Sequence, residues 1–158
     1  MEPLEAVASV IATVDLSAKV ASLLFQYSKD VMHAKDDIER LQRETDSLKN
    51  VSESVQQLLK GPYGTRLEAS QLLASALSDS QSQLEELDRK LTPGKVRTTM
   101  SGRGIGIRAL KWPFESKEVR KIAQDLARCT QIISLSLQVD QTYAFVFFLG
   151  LERETNRS

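Results

Sequence analysis

The sequence predicts an all-α fold, an antiparallel four-helix bundle with a basic loop between helices 3 and 4. Three observations lead there. Apolar residues recur at alternating spacings of three and four along four long stretches, the signature of one helix face. Seven glycines and four prolines are too few for a turn-rich β protein, and they cluster where the periodic stretches stop. Aromatic residues make up only 6%, so the core is mainly aliphatic, which suits helix-on-helix packing.

The first stretch runs from Leu4 to Tyr27. Leu4, Val7, Ile11, Val14, Ala18, Ala21 and Phe25 form its expected stripe, widened by Val10, Val20, Leu23 and Leu24. Only Asp15 and Lys19 carry charge inside it, at i,i+4 with the acid first, a spacing that suits an ion pair. At 1.5 Å per residue such a helix is roughly 36 Å long, against about 30 Å for the hydrocarbon core of a bilayer.

A pattern shift near Tyr27 to Asp30 marks the first turn, and a second helix is expected from about Lys29 to Leu59. Val31, Ala34, Ile38, Leu41, Thr45, Leu48, Val55 and Leu59 line its apolar side. Charges fill the other side, with Asp36 to Arg40 and Glu39 to Arg43 spaced for ion pairs. Gly61-Pro62-Tyr63-Gly64 breaks the pattern, Gly61 being placed for a left-handed C-cap.

The third helix is expected over about Arg66 to Leu91, with Ser70, Leu73, Leu77, Ser80, Leu84, Leu87 and Leu91 as a regular seam, widened by Leu67, Leu72 and Ala76. Small Ser70 and Ser80 on that seam suggest a close neighbour. Thr92-Pro93-Gly94 ends it. The fourth helix begins after Pro113, with Ser116 as its expected N-cap and Glu118 in the first turn, where the helix dipole favours an acid. Val119, Ile122, Leu126, Cys129, Ile133 and Ser136 form its seam, supported by Ile132, Leu135 and Val139. Tyr143 to Phe148 is β-prone by composition; continuation of the helix through Tyr143 and Phe147 is the reading preferred here. Glu152 to Ser158 is expected to fray. The chain thus divides into a bundle over residues 1–142 and an apolar helix extension with a polar tail over 143–158.

Several function classes lose support at once. The chain has 158 residues, a formal charge of zero and one cysteine, Cys129, so no internal disulfide can form and a reducing, cytoplasmic setting is expected. Glu2 and Glu5 replace the basic start of a secretory signal. His33 is the only histidine, and one cysteine cannot supply a zinc site. Gly102-Arg103-Gly104-Ile105-Gly106 follows no strand and lacks the Gly-Lys-Ser/Thr ending of a phosphate loop. No catalytic constellation, metal site or cofactor is predicted, and no nucleic-acid recognition motif is present.

The chemically distinctive segment is Thr92 to Phe114. It carries Lys95, Arg97, Arg103, Arg108 and Lys111 and no acid, which leaves net −5 on the other 135 residues. Ile105, Ile107, Leu110, Trp112 and Phe114 interleave with these bases. An indole beside cations suits the headgroup zone of an anionic membrane, where each base contributes about 1 kcal/mol. The alternative is a loop whose Trp112 and Phe114 pack back onto the bundle.

Several phrases of the sequence carry a resemblance. Met1-Glu-Pro-Leu-Glu-Ala-Val-Ala-Ser-Val-Ile-Ala is followed by Asp36-Asp-Ile-Glu-Arg-Leu-Gln-Arg-Glu-Thr-Asp-Ser-Leu-Lys-Asn-Val, Leu58-Leu-Lys-Gly-Pro, Ser82-Gln-Leu-Glu-Glu-Leu, Ala109-Leu-Lys-Trp-Pro-Phe and Ile133-Ser-Leu-Ser-Leu-Gln-Val-Asp-Gln-Thr. In this order, over about Met1 to Thr142, they resemble the HeLo-like domain found at the N-terminus of fungal NACHT and ankyrin-repeat receptors. The resemblance implies a helical bundle that executes cell death, related to bundles of plant resistance proteins and of the executioner pseudokinase of animal necroptosis. It implies that, after oligomerisation, the first helix, here Met1 to Tyr27, is released and inserts into the membrane.

Two functions from different classes follow. One is a membrane-targeting cell-death effector of innate immunity that binds anionic lipid, self-associates into a homo-oligomer and acts conditionally at the plasma membrane. Its membrane-insertion candidates are Leu4, Val7, Val10, Ile11 and Val14. Its lipid-headgroup candidates are Lys95, Arg97, Arg103, Arg108, Lys111 and Trp112. The other is a non-enzymatic interaction or oligomerisation module working with the NACHT and repeat domains of a receptor, in which the first helix never leaves the core.

Overall fold

The computed structural model describes residues 3–61, 71–92 and 111–157. Four helices carry the chain: α1 (Pro3–Asp30), α2 (Lys35–Leu59), α3 (Gln71–Leu91) and α4 (Ser116–Thr155). The expected all-α bundle is what forms. Each helix runs antiparallel to the next in the chain. In cross-section, α1 packs on α2 and α3, and α4 packs on α2 and α3, so the order around the bundle is α1, α2, α4, α3. The cross-links give the directions. Ser9, Lys19 and Tyr27 of α1 meet Gln81, Asp88 and Leu91 of α3 in ascending order, so these neighbours are parallel. Gln83 with Asp125 and Lys90 with Glu118 descend, so α3 and α4 are antiparallel.

The turn between α1 and α2 falls at Val31–Ala34, slightly later than the pattern shift suggested. It needs no glycine because its two ends, Val31 and Ala34, are both buried and pin it to the core, leaving Met32 and His33 outside. On α2 every expected apolar position is buried, from Ile38 to Leu59. On α3 the seam from Leu73 to Leu91 is buried as expected, whereas Leu72 is 69% exposed and does not widen it. Ser70, Leu67 and the start expected at Arg66 lie outside the described residues. On α4, Val119, Ile122, Leu126, Cys129 and Ile133 are buried, Ser136 is half-buried, and Leu135 and Val139 point out.

Some local expectations are corrected. The C-cap of α2 is Lys60, with φ −80°, and Gly61 is not in the left-handed region. The N-cap of α4 is Glu115 in extended conformation, while Ser116 donates its hydroxyl across the bundle to Asp37 Oδ2 at 2.8 Å. The drawn-out polar tail is helical through Thr155. Neither Asp36–Arg40 nor Glu39–Arg43 forms an ion pair. Lys19 turns away from Asp15 and pairs with Asp88 of α3 at 3.1 Å. Lys19 and Ser116 find partners on neighbouring helices, and surface i,i+4 pairs such as Asp36–Arg40 gain too little to hold two long side chains in place.

Candidate membrane-active surfaces

The N-terminal helix packs in an unexpected phase. The residues it buries are Ala6, Val10, Thr13, Ser17, Val20, Leu24 and Tyr27. From Ala6 to Leu24 this is the expected stripe moved back by one residue, a rotation of about 100°. Ile11 is 40% exposed and Phe25 55%, while Val7, Val14 and Ala21 are half-buried. Val7 and Val14 still pack against the edge of the core, whereas Ile11 and Phe25 are left towards solvent. Periodicity alone does not set the phase when apolar residues occupy both stripes.

Polar contacts seat α1 on α3. Gln81 Nε2 donates to Ser9 Oγ at 2.7 Å and to the Ser9 carbonyl at 3.1 Å. Tyr27 Oη donates to the Leu91 carbonyl at 3.0 Å. The buried hydroxyls of Thr13, Ser17 and Ser80 instead donate to carbonyls one turn back in their own helices, at 2.9, 2.7 and 2.7 Å. Of these, Ser17 makes no side-chain hydrogen bond to another helix among the described residues, whereas Thr13 Oγ1 also accepts from Gln81 Nε2 at 3.4 Å. Glu5–Asp30 is long and apolar enough to cross a membrane, yet only 28% of its most apolar window is buried. That share is the one-sided burial of a bundle helix, and α2 buries a similar fraction of its length.

The insertion candidates divide on this helix. Val10 is fully buried, Val7 and Val14 are half-buried and Ile11 faces out. The side chain of Leu4 lies outside the described residues. Of the headgroup candidates, Lys95, Arg97, Arg103 and Arg108 lie outside the described residues. Lys111 is exposed. Trp112 is half-buried between Tyr27 and Phe114, edge-on to both with ring centroids at 5.6 and 5.2 Å. Its indole N–H is buried without an acceptor among the described residues. Trp112 and Phe114 thus pack back onto the bundle. They do so beside the C-terminal end of α1, seventeen residues, or roughly 26 Å along the helix, from Val10. The fold does not bring the insertion candidates and Trp112 together.

A third surface was only partly legible in the sequence. The last buried residue described on α4 is Leu137, and the helix continues for eighteen residues to Thr155, roughly 27 Å. Leu135, Val139, Val146 and Leu149 are 58%, 54%, 59% and 44% exposed and, with exposed Thr142, repeat at 4-3-4-3 spacing. Leu135 to Val146 line a shallow groove. Heptad spacing is the signal, which runs on past the bundle.

Nothing in the described residues gathers three His, Cys, Asp or Glu side chains into a metal site. His33 is exposed on the α1–α2 turn and Cys129 is buried in the middle of α4, where burial pushes its thiol pKa up. No family model, curated protein or solved structure matches this chain.

Proposed function

We propose that this protein is a membrane-targeting cell-death effector of the HeLo-like kind, in which α1 leaves the bundle and enters anionic membranes as part of an oligomer. The observation that carries this reading is the seating of α1: a stripe that includes the hydroxyls of Thr13 and Ser17 faces the core, and Ile11 and Phe25 face solvent. The resemblance of the sequence to the N-terminal domains of fungal receptors supports it, as does the uncovered α4 seam, which gives released chains a surface on which to associate.

Release has a definite cost. Val10, Val20, Leu24 and Tyr27 all leave the core, at about 1.5–3 kcal/mol each. The sum is comparable to the whole stability of an ordinary domain. Asp15 and Lys19 would then cost a further ~2.5–3.5 kcal/mol each near the centre of a bilayer. A lone helix does not meet both costs. An oligomer in which charged faces meet each other, or a pose in the interface, lowers the second.

A second reading keeps α1 in place and makes the protein an interaction module of a receptor. The exposed α4 seam favours it, because that seam is available without any opening. A reducible bismaleimide link between cysteines placed at Ser9 and Gln81 separates the two. The effector reading expects the linked protein to leave anionic liposomes intact and to regain leakage on reduction. Leakage by the linked, folded protein would sink α1 release. A protein that causes none in either state, but still self-associates, supports the module.

A further inference from the structure

The groove between α2 and α4 is separate from every surface described above. Arg40 and Arg43 project into it from α2 and Arg120 from α4, around a cleft of about 300 Å³. Ala123 and Ala127 form its floor, Gln124 lines it beside Arg120, and Glu44 supplies the only carboxylate. The formal charge of the lining is therefore +2.

Two arginines elsewhere on the bundle are paired instead. Arg89 pairs with Glu86 at 2.7 Å and Arg128 with Asp125 at 3.4 Å, each three residues away on its own helix. Arg40, Arg43 and Arg120 make no ion pair among the described residues, although Asp36, Glu39 and Glu44 all lie within one turn of Arg40 or Arg43. All three are exposed and line one cleft, where their like charges gather. Their planar forks suit the oxygens of a phosphate, which they bind two at a time.

We propose that this groove is a binding site for a phosphorylated anion carrying a terminal phosphate, held by Arg40, Arg43 and Arg120 with Gln124 as a neutral donor. The small Ala123 and Ala127 leave room for the phosphate between the helices, and Glu44, the one carboxylate in the lining, opposes it. Because the site joins α2 to α4, it does not depend on whether α1 stays. Occupancy ties together the two helices that would have to remain packed if α1 left.

Inorganic pyrophosphate, titrated into the ¹⁵N-labelled full chain, is the first probe. Chemical-shift changes are expected at Arg40, Arg43, Arg120, Ala123 and Gln124. Arg120→Gln should weaken binding about ten-fold or more, and Arg40→Gln with Arg120→Gln should remove it. Arg153→Gln, far along α4, should bind as the parent does. Vesicles of phosphatidylcholine doped with a phosphoinositide, against phosphatidylserine at matched charge, separate the two sources. Phosphoinositide binding that pyrophosphate competes away assigns a lipid headgroup; pyrophosphate binding without it assigns a free phosphate. Equal pyrophosphate affinity in parent and folded double variant overturns the site. So do shift changes in the parent that scatter over other basic residues.

Discussion

The side-chain amide of Gln81 on α3 reaches both the hydroxyl and the backbone carbonyl of Ser9 on α1, at 2.7 and 3.1 Å. One side chain thus clamps the first third of the N-terminal helix, where the buried stripe is otherwise thin. Replacing it, Gln81→Ala, should lower stability by about 1 kcal/mol, the net worth of such a contact. The loss should be local. Hydrogen exchange is expected to speed up for amides around Ser9 to Thr13 while the amides of α2 and α4 keep their protection. Uniform acceleration would mean that α1 does not open separately.

Val10 and Ile11 are sequence neighbours about 100° apart around α1, one fully buried and the other 40% exposed. Val10→Glu buries an unpaired carboxylate and should cost several kcal/mol, seen as a large fall in melting temperature. Ile11→Glu should change stability by no more than about 0.5 kcal/mol. On the effector reading it should nevertheless abolish liposome leakage. A folded Ile11→Glu protein that permeabilises membranes like the parent contradicts a role for the outward stripe.

The α4 seam makes a separate prediction about assembly. Val139→Glu together with Val146→Glu changes two exposed positions beyond or at the edge of the bundle, so the melting temperature at low concentration should hold. Self-association by sedimentation velocity should be lost, since a charge in each of two successive heptad turns opposes a coiled-coil seam. Unchanged assembly would move the interface elsewhere.

Cys129 links stability to alkaline pH. Burial raises its pKa in the folded state, opposed by a hydrogen bond with Ser80. The unfolded chain therefore loses the thiol proton first as pH rises. The contribution of Cys129 to stability is fully present below the unfolded value, about 8.5, and declines above it until the folded thiol ionises. Denaturation by urea at pH 7 and pH 10 should show a fall with pH that is smaller in Cys129→Ala. Equal falls in both proteins would assign the alkaline loss to other groups.

The faces of α2 and α3 were legible almost residue by residue. On α2 the charges from Lys35 to Lys49 and on α3 those from Glu85 to Lys90 fill the side away from the core, so one phase is allowed and Ile38–Leu41–Leu48 or Leu77–Leu84–Leu87 must turn inwards. On α1 the same reasoning settled that a helix forms but not which way it turns. Val10 and Ile11 are equally good core residues in isolation. The triple-arginine groove was hidden for another reason. Arg40 and Arg43 have acids at the spacing that suggests ion pairs, and Arg120 lies about eighty residues away in the sequence.

What the sequence determined by itself is the local part: four helices, the ends of α2 near Leu59 and of α3 at Leu91, the continuation of α4, and the inward face wherever the other face is charged. These follow from backbone preference and from the cost of burying charge, which act within a few turns. Only the tertiary structure decided the phase of α1, the placing of Trp112 at the far end of α1 from Ile11, the exposure of Val139 and Val146, and the meeting of three arginines. Each of these depends on how closely neighbouring helices approach and how long they are relative to one another, and neither quantity is written in the period of any one helix.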